Sequence, residues 1–299
     1  MTSHTKQGAL KVSKRRLKDN HMPVLELSKP VKIAGGVLLA LIVVSIFLPI
    51  VFTLLYSILP SGTVTNIKSI SDIADNFTMN GYIEVFQLTP FLRIVSNTIF
   101  ISATSTGLQV IISFMAAYAL THWDYPGKDY IFGFIVIVMI IPSVALIIPN
   151  YMTVSSLGMA RNYGGVIIPW IANAYGIFLM RQFFKMVPKS LVEACRMDGG
   201  TELRILRHVY LPICMPAIAA LFIILFVANW NDFYWPMLIL DRTETITLSL
   251  VVVRFTKEGA FHLLPTAAAC FMSIIPMLLI YLSLQKQIVE TFASSATKE

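Results

Sequence analysis

The feature that most constrains this chain is a series of six long apolar stretches separated by shorter polar segments. A bilayer core of about 30 Å takes roughly 20 apolar residues to cross as a helix, and backbone groups inside it must pair within the protein. A helix satisfies all of these groups by itself. The sequence therefore predicts an all-α integral membrane protein with six transmembrane helices, at about 33–59, 94–121, 130–154, 162–181, 213–240 and 263–285.

The composition agrees with a lipid environment. Hydrophobic residues make up 56% of the 299 residues and charged residues only 13%, whereas soluble domains carry about 25% charged residues. A soluble protein of this composition would expose large apolar patches to water. The lipid bilayer is thus the first predicted partner.

The basic residues are concentrated in two polar segments. Residues 1–32 hold eight Lys and Arg against two acidic residues, and residues 181–212 hold six against three. Basic flanks of membrane spans lie on the cytoplasmic side. We therefore expect a cell-membrane protein with a cytoplasmic N-terminal tail (1–32), a transmembrane domain (33–285) and a cytoplasmic C-terminal tail (286–299). No nucleic-acid partner is predicted, because no nucleic-acid-binding fold follows the basic tail.

Signals for enzymatic chemistry are missing from the sequence. It has no GxxxxGK[ST] phosphate loop and no GxSxG, its three cysteines lack CxxC spacing, and its five histidines lack ligand spacing. No catalytic residue, metal site or cofactor is predicted in this chain.

Two further local predictions concern helix shape. Pro142 and Pro149 predict kinks in the third span, because each removes a backbone donor. The stretch 76–86 reads as a short amphipathic helix over the membrane surface, within an external segment at 61–93. The charge-balanced segment 241–258 is also placed outside.

Within the longest internal polar stretch, 181–212, residues 188–212 predict two helices joined by a tight turn. Pro188 is a helix start, the Asp198-Gly199-Gly200 sequence favours a reversal, and Thr201 can cap a second helix that leads to Pro212. Such a stiff projection from the cytoplasmic surface can receive a push from a soluble partner. From the residues alone, an amphipathic connector resting on lipid headgroups remains equally open.

This stretch resembles the "EAA" signature of binding-protein-dependent ABC importer permeases. The resemblance extends over most of the chain to the carbohydrate type, which includes the six-span second permease subunit of the maltose importer. Cys195 replaces the second alanine of the signature, and the ending TFASSATKE departs from the family's glycine-rich ending. The matching residues of the signature are Glu193, Ala194, Asp198, Gly199, Leu211 and Pro212.

The resemblance implies a transmembrane permease subunit of an ATP-driven importer for a sugar or related polyol. The stretch 188–212 would then be a coupling loop, whose residues 190–212 would sit on an ATPase subunit. Two such ATPase subunits would bind ATP with Mg. A second permease subunit and an extracytoplasmic solute-binding protein would complete the assembly. The alternatives are a glycerol-phosphate permease of the same family and an ion-coupled secondary transporter, which the absence of a visible repeat disfavours.

Polar and aromatic residues within the spans are the candidates for contact with the solute, because such groups are costly in lipid. The rival interpretation is an interfacial aromatic belt with amides that bridge helices. The candidate pathway residues are Asn97, Asn173, Tyr175, Asn229, Trp230 and Asn231.

Overall fold

The computed structural model describes residues 29–60, 64, 66–67, 69–257 and 263–296, with side chains as far as 283. The predicted N-terminal tail lies outside the described residues except for its last four. The predicted C-terminal tail is described for its backbone alone, as far as residue 296. Contact clustering separates residues up to Phe52 from a second unit that begins at Thr53.

The described residues of the first unit, 29–52, form the greater part of one helix. Helix α1, Lys29–Ile58, runs from this unit into the start of the second. Within its 29 residues Pro30–Ile58, an 18-residue stretch has a mean hydropathy of 3.0. At 1.5 Å per residue such a helix is about 43 Å long, which is sufficient to cross a bilayer.

Every regular element among the described residues of the second unit is a helix. Its α-helices are α2 (Ile70–Asp75), α3 (Asn80–Leu88), α4 (Phe91–His122), α5 (Lys128–Val138), α6 (Ile147–Ser156), α7 (Tyr163–Ile167), α8 (Ala174–Lys185), α9 (Lys189–Met197), α10 (Glu202–Ile205), α11 (Leu211–Asn231), α12 (Tyr234–Ile239), α13 (Leu248–Lys257) and α14 (Leu263–Ala296). Short 3₁₀ turns lie at Ser143–Leu146 and Ile168–Trp170, and a π-helical turn lies at Leu206–Tyr210.

Among the described residues, four helices are long and apolar enough to cross a membrane: Pro30–Ile58, Phe91–His122, Glu202–Asn231 and Leu263–Ser283. The number rises to as many as six if each of two bent helix pairs forms one span. These pairs join Lys128–Val138 to Ser143–Ser156 at 93°, and Tyr163–Trp170 to Ala174–Lys185 at 44°.

The larger bend lies at one of the two prolines that predicted a kink. Pro142 has an extended ψ of 125° and ends the helical path before the 3₁₀ turn. Pro149, by contrast, lies in the first turn of α6, where its missing N–H would have had no helical partner. The backbone therefore breaks at Pro142 and continues through Pro149.

Helix α4 is the centre of the second unit and contributes to two apolar clusters. Phe91, Ile94 and Ile101 join one cluster, and Phe114 and Tyr118 join the other. Packing against α8 is very close at Gly176, where an added Cβ would lie 2.4 Å from Ser113 Oγ. Glycine is therefore needed for the two helices to approach this closely.

Several boundaries differ from those predicted. Helix α11 ends at Asn231 instead of continuing to 240, because Pro236 has no N–H to donate to the carbonyl of Asp232 and α12 must start anew. Helix α14 continues to Ala296, through most of the predicted tail. Within 241–258 the chain forms α13, which buries Val251 and Phe255.

The short helix predicted at 76–86 is present, with bounds shifted by a few residues. Helix α3 begins at Asn80, and Gly81 lies against the start of α14, where an added Cβ would meet the backbone oxygen of Leu264 at 2.9 Å. Gly81 and Val85 are buried. The side of α3 that carries Gly81 and Val85 is therefore covered by protein, whereas Ile83, Phe86 and Leu88 are exposed.

Candidate functional sites: a polar cavity and a surface loop

A cavity of about 720 Å³ opens beside the break at Pro142. Its apolar wall comes from residues 138–147, and α4, the start of α8 and the α11–α12 junction supply the rest. Pockets of 300–1,000 Å³ with mainly apolar and aromatic walls and a few polar groups are typical of small-molecule sites. The polar and aromatic lining residues are Ser105, Gln109, Ser143, Trp170, Asn173, Tyr175, Asn229, Asn231, Asp232, Phe233, Tyr234 and Trp235.

A chain of hydrogen bonds fixes the amides on one side of the cavity. Gln109 Nε2 donates to the carbonyl of Trp170 at 3.0 Å, so Gln109 Oε1 is turned toward Asn229. Asn229 Nδ2 donates to Gln109 Oε1 and to Thr106 Oγ1, both at 2.9 Å. The carbonyl oxygen of Trp170 can only accept, so it orients the amide of Gln109 with its nitrogen toward Trp170. The oxygen of Gln109 in turn orients the amide nitrogen of Asn229 toward Gln109.

Four of the six predicted pathway residues meet at this cavity, namely Asn173, Tyr175, Asn229 and Asn231. Asn173 also caps α8, because its Oδ1 accepts from the backbone N–H of Gly176 at 2.8 Å. This contact leaves the amide nitrogen of Asn173 as its available donor.

The structure places the other two candidates away from the cavity lining. Asn97 Nδ2 donates to the carbonyls of Glu244 and Ile246, and its Oδ1 accepts from the hydroxyl of Tyr163 at 2.7 Å. Trp230 is only 4% exposed and packs against Phe226. Asn97 thus joins α4 to residues 244 and 246 and to α7, and Trp230 belongs to the apolar cluster that includes Phe91 and Ile101.

Gln109 and Trp170 also line the cavity, and neither is among the six candidate pathway residues given above. The indole Nε1 of Trp170 is buried and lacks a hydrogen-bond partner among the described residues. A polar residue in a membrane span is a signal for Gln109. Trp170 gives a weaker signal, since tryptophan near a span end also fits an interfacial position.

The surface loop consists of α9, a turn, α10 and the π-helical turn that leads into α11. Gly199 has a φ of +73°, which is the left-handed conformation that glycine adopts at helix ends. Thr201 Oγ1 accepts from the N–H of Arg204 at 3.4 Å and caps α10. Pro212 has no N–H to donate, and the N–H of Leu211 donates to Leu206 in the wide turn that precedes it.

The loop divides into a buried and an exposed side. Val192 and Ile205 face the apolar cluster around α4 and are 8% and 0% exposed. The apolar side chains of Met197 and Leu203 are 88% and 73% exposed. Among the six signature residues Leu211 is half-buried, and the exposed ones are Glu193, Ala194, Asp198, Gly199 and Pro212.

A polar cluster joins the base of this loop to the end of α4. The carboxylate of Glu202 accepts from Tyr118 Oη at 2.6 Å and from Arg196 Nη2 at 3.0 Å, and it lies 2.8 Å from His122 Nε2. The rings of Tyr118 and His122 stack with centroids 4.5 Å apart. Tyr210 contacts both rings edge-on. The sequence analysis missed this cluster, and the signal that could have indicated it is the i, i+4 spacing of Tyr118 and His122.

A second ionic contact joins α5 and α8 near the same end of α4. The Arg181 side chain is 6% exposed, lies 3.0 Å from Asp129, and has its guanidinium 3.8 Å from the ring centre of Phe132. In the α4–α5 link, Lys128 donates to Asp124, and this hydrogen bond lowers the pKa of that carboxyl. These contacts stiffen the region that borders the loop.

This chain is similar in sequence to one known protein family and to named members of it. The family described as "Binding-protein-dependent transport system inner membrane component" matches residues 109–292, which include the loop and the cavity lining except Ile101 and Ser105. The chain is 31% identical over 208 residues to the sn-glycerol-3-phosphate transport system permease protein UgpE of Salmonella typhi, covering 69% of this chain and 74% of the relative. The UgpE of Brucella abortus (strain 2308) is 32% identical over 201 residues, covering 66% and 71%.

Solved structures show the same likeness. A chain of a bacterial ABC transporter involved in the import of the acidic polysaccharide alginate superposes with a TM-score of 0.75 at 27% identity, covering 87% of this chain and 98% of the other. A chain from the alginate transporter in complex with an alginate pentasaccharide-bound periplasmic protein has a TM-score of 0.59 at 18% identity, covering 86% and 94%, and shows the fold alone.

Proposed function

The chain belongs to the family of binding-protein-dependent transport system inner membrane components and is a transmembrane importer permease, and from that premise we propose that it carries a sugar or related polyol through the cavity beside Pro142. Membership of this family makes it a transport component instead of a catalytic enzyme. It also favours an ATP-driven importer over the ion-coupled secondary transporter.

The observation that carries the proposed mechanism is the exposed face of the loop within the matched residues. Met197 and Leu203 are largely exposed beside the exposed signature residues Glu193 and Gly199. Exposed apolar side chains in such a setting mark a protein contact. The partner that fits is an ATPase subunit, which binds ATP and Mg and grips this coupling loop.

Motion can pass from the loop into the membrane by two connections. The loop continues through the π-helical turn into α11, and the Glu202 cluster attaches it to α4. Both helices line the cavity, α11 through Asn229 and α4 through Gln109. Closure of two ATPase subunits would then change the access to the cavity from one side of the membrane to the other.

The remaining parts of the proposed assembly follow from the family. A second permease subunit would complete the pathway, and an extracytoplasmic solute-binding protein would deliver the solute. In this arrangement six spans place both termini and the coupling loop on the cytoplasmic side, which the basic residues of 1–32 and 181–212 support.

Glycerol phosphate is the second candidate solute. The specific observation in its favour is the 31% and 32% identity to two permeases named for sn-glycerol-3-phosphate transport. Identity over the whole permease does not localise to the cavity, where the solute would be contacted. The cavity groups bear on this choice directly.

The loop role is tested by two matched pairs of variants in the full importer, reconstituted in vesicles. Gly199→Asp and Gly158→Asp both place a side chain at a left-handed glycine with open space around it, at φ +73° and +67°. Their backbone strain is therefore similar. We expect Gly199→Asp to abolish ATP-driven uptake and Gly158→Asp to retain it.

In the second pair of variants, an exposed glutamate is replaced by lysine, which reverses the sign of the side-chain charge. Glu193→Lys changes the loop face, whereas Glu244→Lys changes an exposed residue of another segment. We expect Glu193→Lys to uncouple ATP hydrolysis from uptake with normal membrane insertion, and Glu244→Lys to keep the two coupled. Full uptake by both Glu193→Lys and Gly199→Asp would show that the loop does not couple the ATPase.

A further inference from the structure

A second, smaller cavity lies where α3 meets the start of α4. It has a volume of about 200 Å³, and its walls are four apolar side chains together with Thr89, Thr243 and Arg254. It shares no lining residue with the larger cavity beside Pro142. Pockets for whole small molecules begin at roughly 300 Å³, so this volume suits a single headgroup. We propose that the cavity binds the phosphate-bearing headgroup of an anionic phospholipid.

Arg254 supplies the charge of this cavity. It is half-buried, and it makes no hydrogen bond or ion pair with any described residue. The described residues that line the cavity include no Asp or Glu. A guanidinium carries five N–H donors in a planar fork, which matches two oxygens of a phosphate. The cavity therefore offers an anion a positive charge whose donors are not used by the described protein.

Thr89 supplies an acceptor beside this charge. Its Oγ1–H donates to the carbonyl of Val85 at 2.7 Å, so the hydroxyl oxygen is left to accept. A headgroup with a hydroxyl can donate to Thr89 while its phosphate accepts from Arg254. A choline headgroup has no hydroxyl or N–H to donate, and it would bring a positive charge close to Arg254. Phosphatidylglycerol therefore fits these two groups, and phosphatidylcholine does not.

The cavity lies at the level where a bilayer has its phosphates. Thr89 comes just before α4, whose residues Phe91–His122 are long and apolar enough to cross a membrane. The other end of α4 is attached to the coupling loop through Glu202. The start of α14, a second helix of sufficient length, packs on α3 at Gly81. Two membrane-crossing helices therefore begin at this end of the structure, and basic pockets beside such helices bind lipid headgroups.

Exposed apolar side chains continue from the cavity along α3. Ile83, Phe86 and Leu88 are each about half exposed, and Leu88 also lines the cavity. Exposed apolar patches of this kind mark contact with a membrane or a protein. A phospholipid provides a phosphate for Arg254 and acyl chains for these side chains in one molecule. An acidic protein segment would pair with Arg254 but would leave the apolar side chains uncovered, so the lipid is the better match.

The test is native mass spectrometry of the purified full-length chain in detergent, which counts the lipid molecules bound at each lipid concentration. The lipid probes are phosphatidylglycerol, phosphatidylcholine and diacylglycerol with the same acyl chains. Inorganic phosphate and a hexaglutamate peptide are added as competitors, and they stand for a free anion and for an acidic protein segment. We expect a single phosphatidylglycerol to bind about tenfold or more tightly than either other lipid, because only this lipid uses both polar groups.

A charge-removing variant tests the role of Arg254. Arg254→Gln removes the positive charge and keeps a polar side chain. We expect it to weaken the binding of phosphatidylglycerol about tenfold or more, since a charge-assisted pair is lost. The matched Arg242→Gln removes an exposed arginine of the preceding segment that does not line the cavity. Its affinity for phosphatidylglycerol should equal that of the wild type.

A second pair of variants tests the cavity without changing any charge. Thr243 is exposed and lines the cavity, so the indole of Thr243→Trp would occupy its entrance. We expect this variant to lose the tight binding of phosphatidylglycerol as Arg254→Gln does. The matched Thr256→Trp places the same ring on an exposed position of α13 outside the cavity lining and should bind like the wild type.

Three results would overturn the inference. The first is an unchanged affinity for phosphatidylglycerol in Arg254→Gln or in Thr243→Trp. The second is equally tight binding of phosphatidylcholine or diacylglycerol. The third is displacement of the lipid by an equal concentration of a competitor: displacement by phosphate would assign the site to a free anion, and displacement by hexaglutamate would assign it to an acidic protein segment. Solute uptake plays no part in these measurements, so none of these results bears on the proposed function.

Discussion

The attachment of the coupling loop to α4 can be measured with Tyr118→Phe, which removes one hydroxyl and keeps the ring. The lost bond joins Tyr118 Oη to the Glu202 carboxylate at 2.6 Å. Hydrogen bonds to charged groups contribute about 1.5–3 kcal/mol. The Glu202 side chain is 46% exposed, so water competes for it and the lower value applies. We expect a loss of about 1.5 kcal/mol, since the substitution would leave the carboxylate with Arg196 and His122 as its partners.

The assay is thermal unfolding of the purified chain in detergent. For a protein of this size, 1 kcal/mol shifts the unfolding midpoint by about 2–4 °C, so Tyr118→Phe should lower it by roughly 3–6 °C. Tyr130→Phe is the matched control, because Tyr130 is 87% exposed and its hydroxyl makes no hydrogen bond within the described part of the chain.

A double-mutant cycle with Glu202→Gln separates the bond from other effects. If the two groups interact directly, the losses in Tyr118→Phe and Glu202→Gln are not additive, and the coupling energy should reach about 1 kcal/mol. Additive losses, or a Tyr118→Phe midpoint equal to that of Tyr130→Phe, would refute a direct attachment of the loop to α4 through this pair.

Three further variants test contacts within the second unit, each by the thermal midpoint of the purified chain. Gly176→Ala should cost about 1–3 kcal/mol because its Cβ would lie 2.4 Å from Ser113 Oγ, and adding Ser113→Gly should restore stability. Arg181→Met should cost about 1–2 kcal/mol, since a nearly buried guanidinium contact with a carboxylate is lost; an unchanged midpoint would contradict this ionic contact's role. Trp235→Phe should cost about 1 kcal/mol by removing the 3.1 Å bond to the Gly165 carbonyl, whereas Trp123→Phe at an exposed site should not.

The sequence predicted the helical membrane class because apolar length alone decides it. Four long helices appear where apolar stretches occur, and Pro142 marked the place of the main break. The 93° angle at that break depends on which helices pack against α6, and these contacts are not local in sequence. Pro236 is a local signal for the early end of α11. A span predicted from the length of an apolar stretch does not take this signal into account.

The candidate site was predictable at the level of residue type more than of position. Asn229 and Asn173 were recognised as polar groups within apolar stretches, and both line the cavity. Asn97 gave the same signal, but the structure satisfies its amide with carbonyls 147 and 149 residues away. A sequence pattern cannot distinguish an amide that bridges distant segments from one that faces a cavity, because the difference lies in tertiary contacts.

The wide turn at Leu206–Tyr210 sets the angular position of the coupling loop relative to the membrane helix. One residue of an α-helix subtends about 100°, so a turn with an additional residue rotates everything upstream by about that angle. The directions of Leu203, which is exposed, and of Ile205, which is buried, depend on this offset. Loss of a single residue here would rotate the exposed side of the loop about the helix axis by more than a quarter of a revolution. The length of this turn therefore determines the direction in which the loop points, whereas the side chains of the loop determine which residues it contacts.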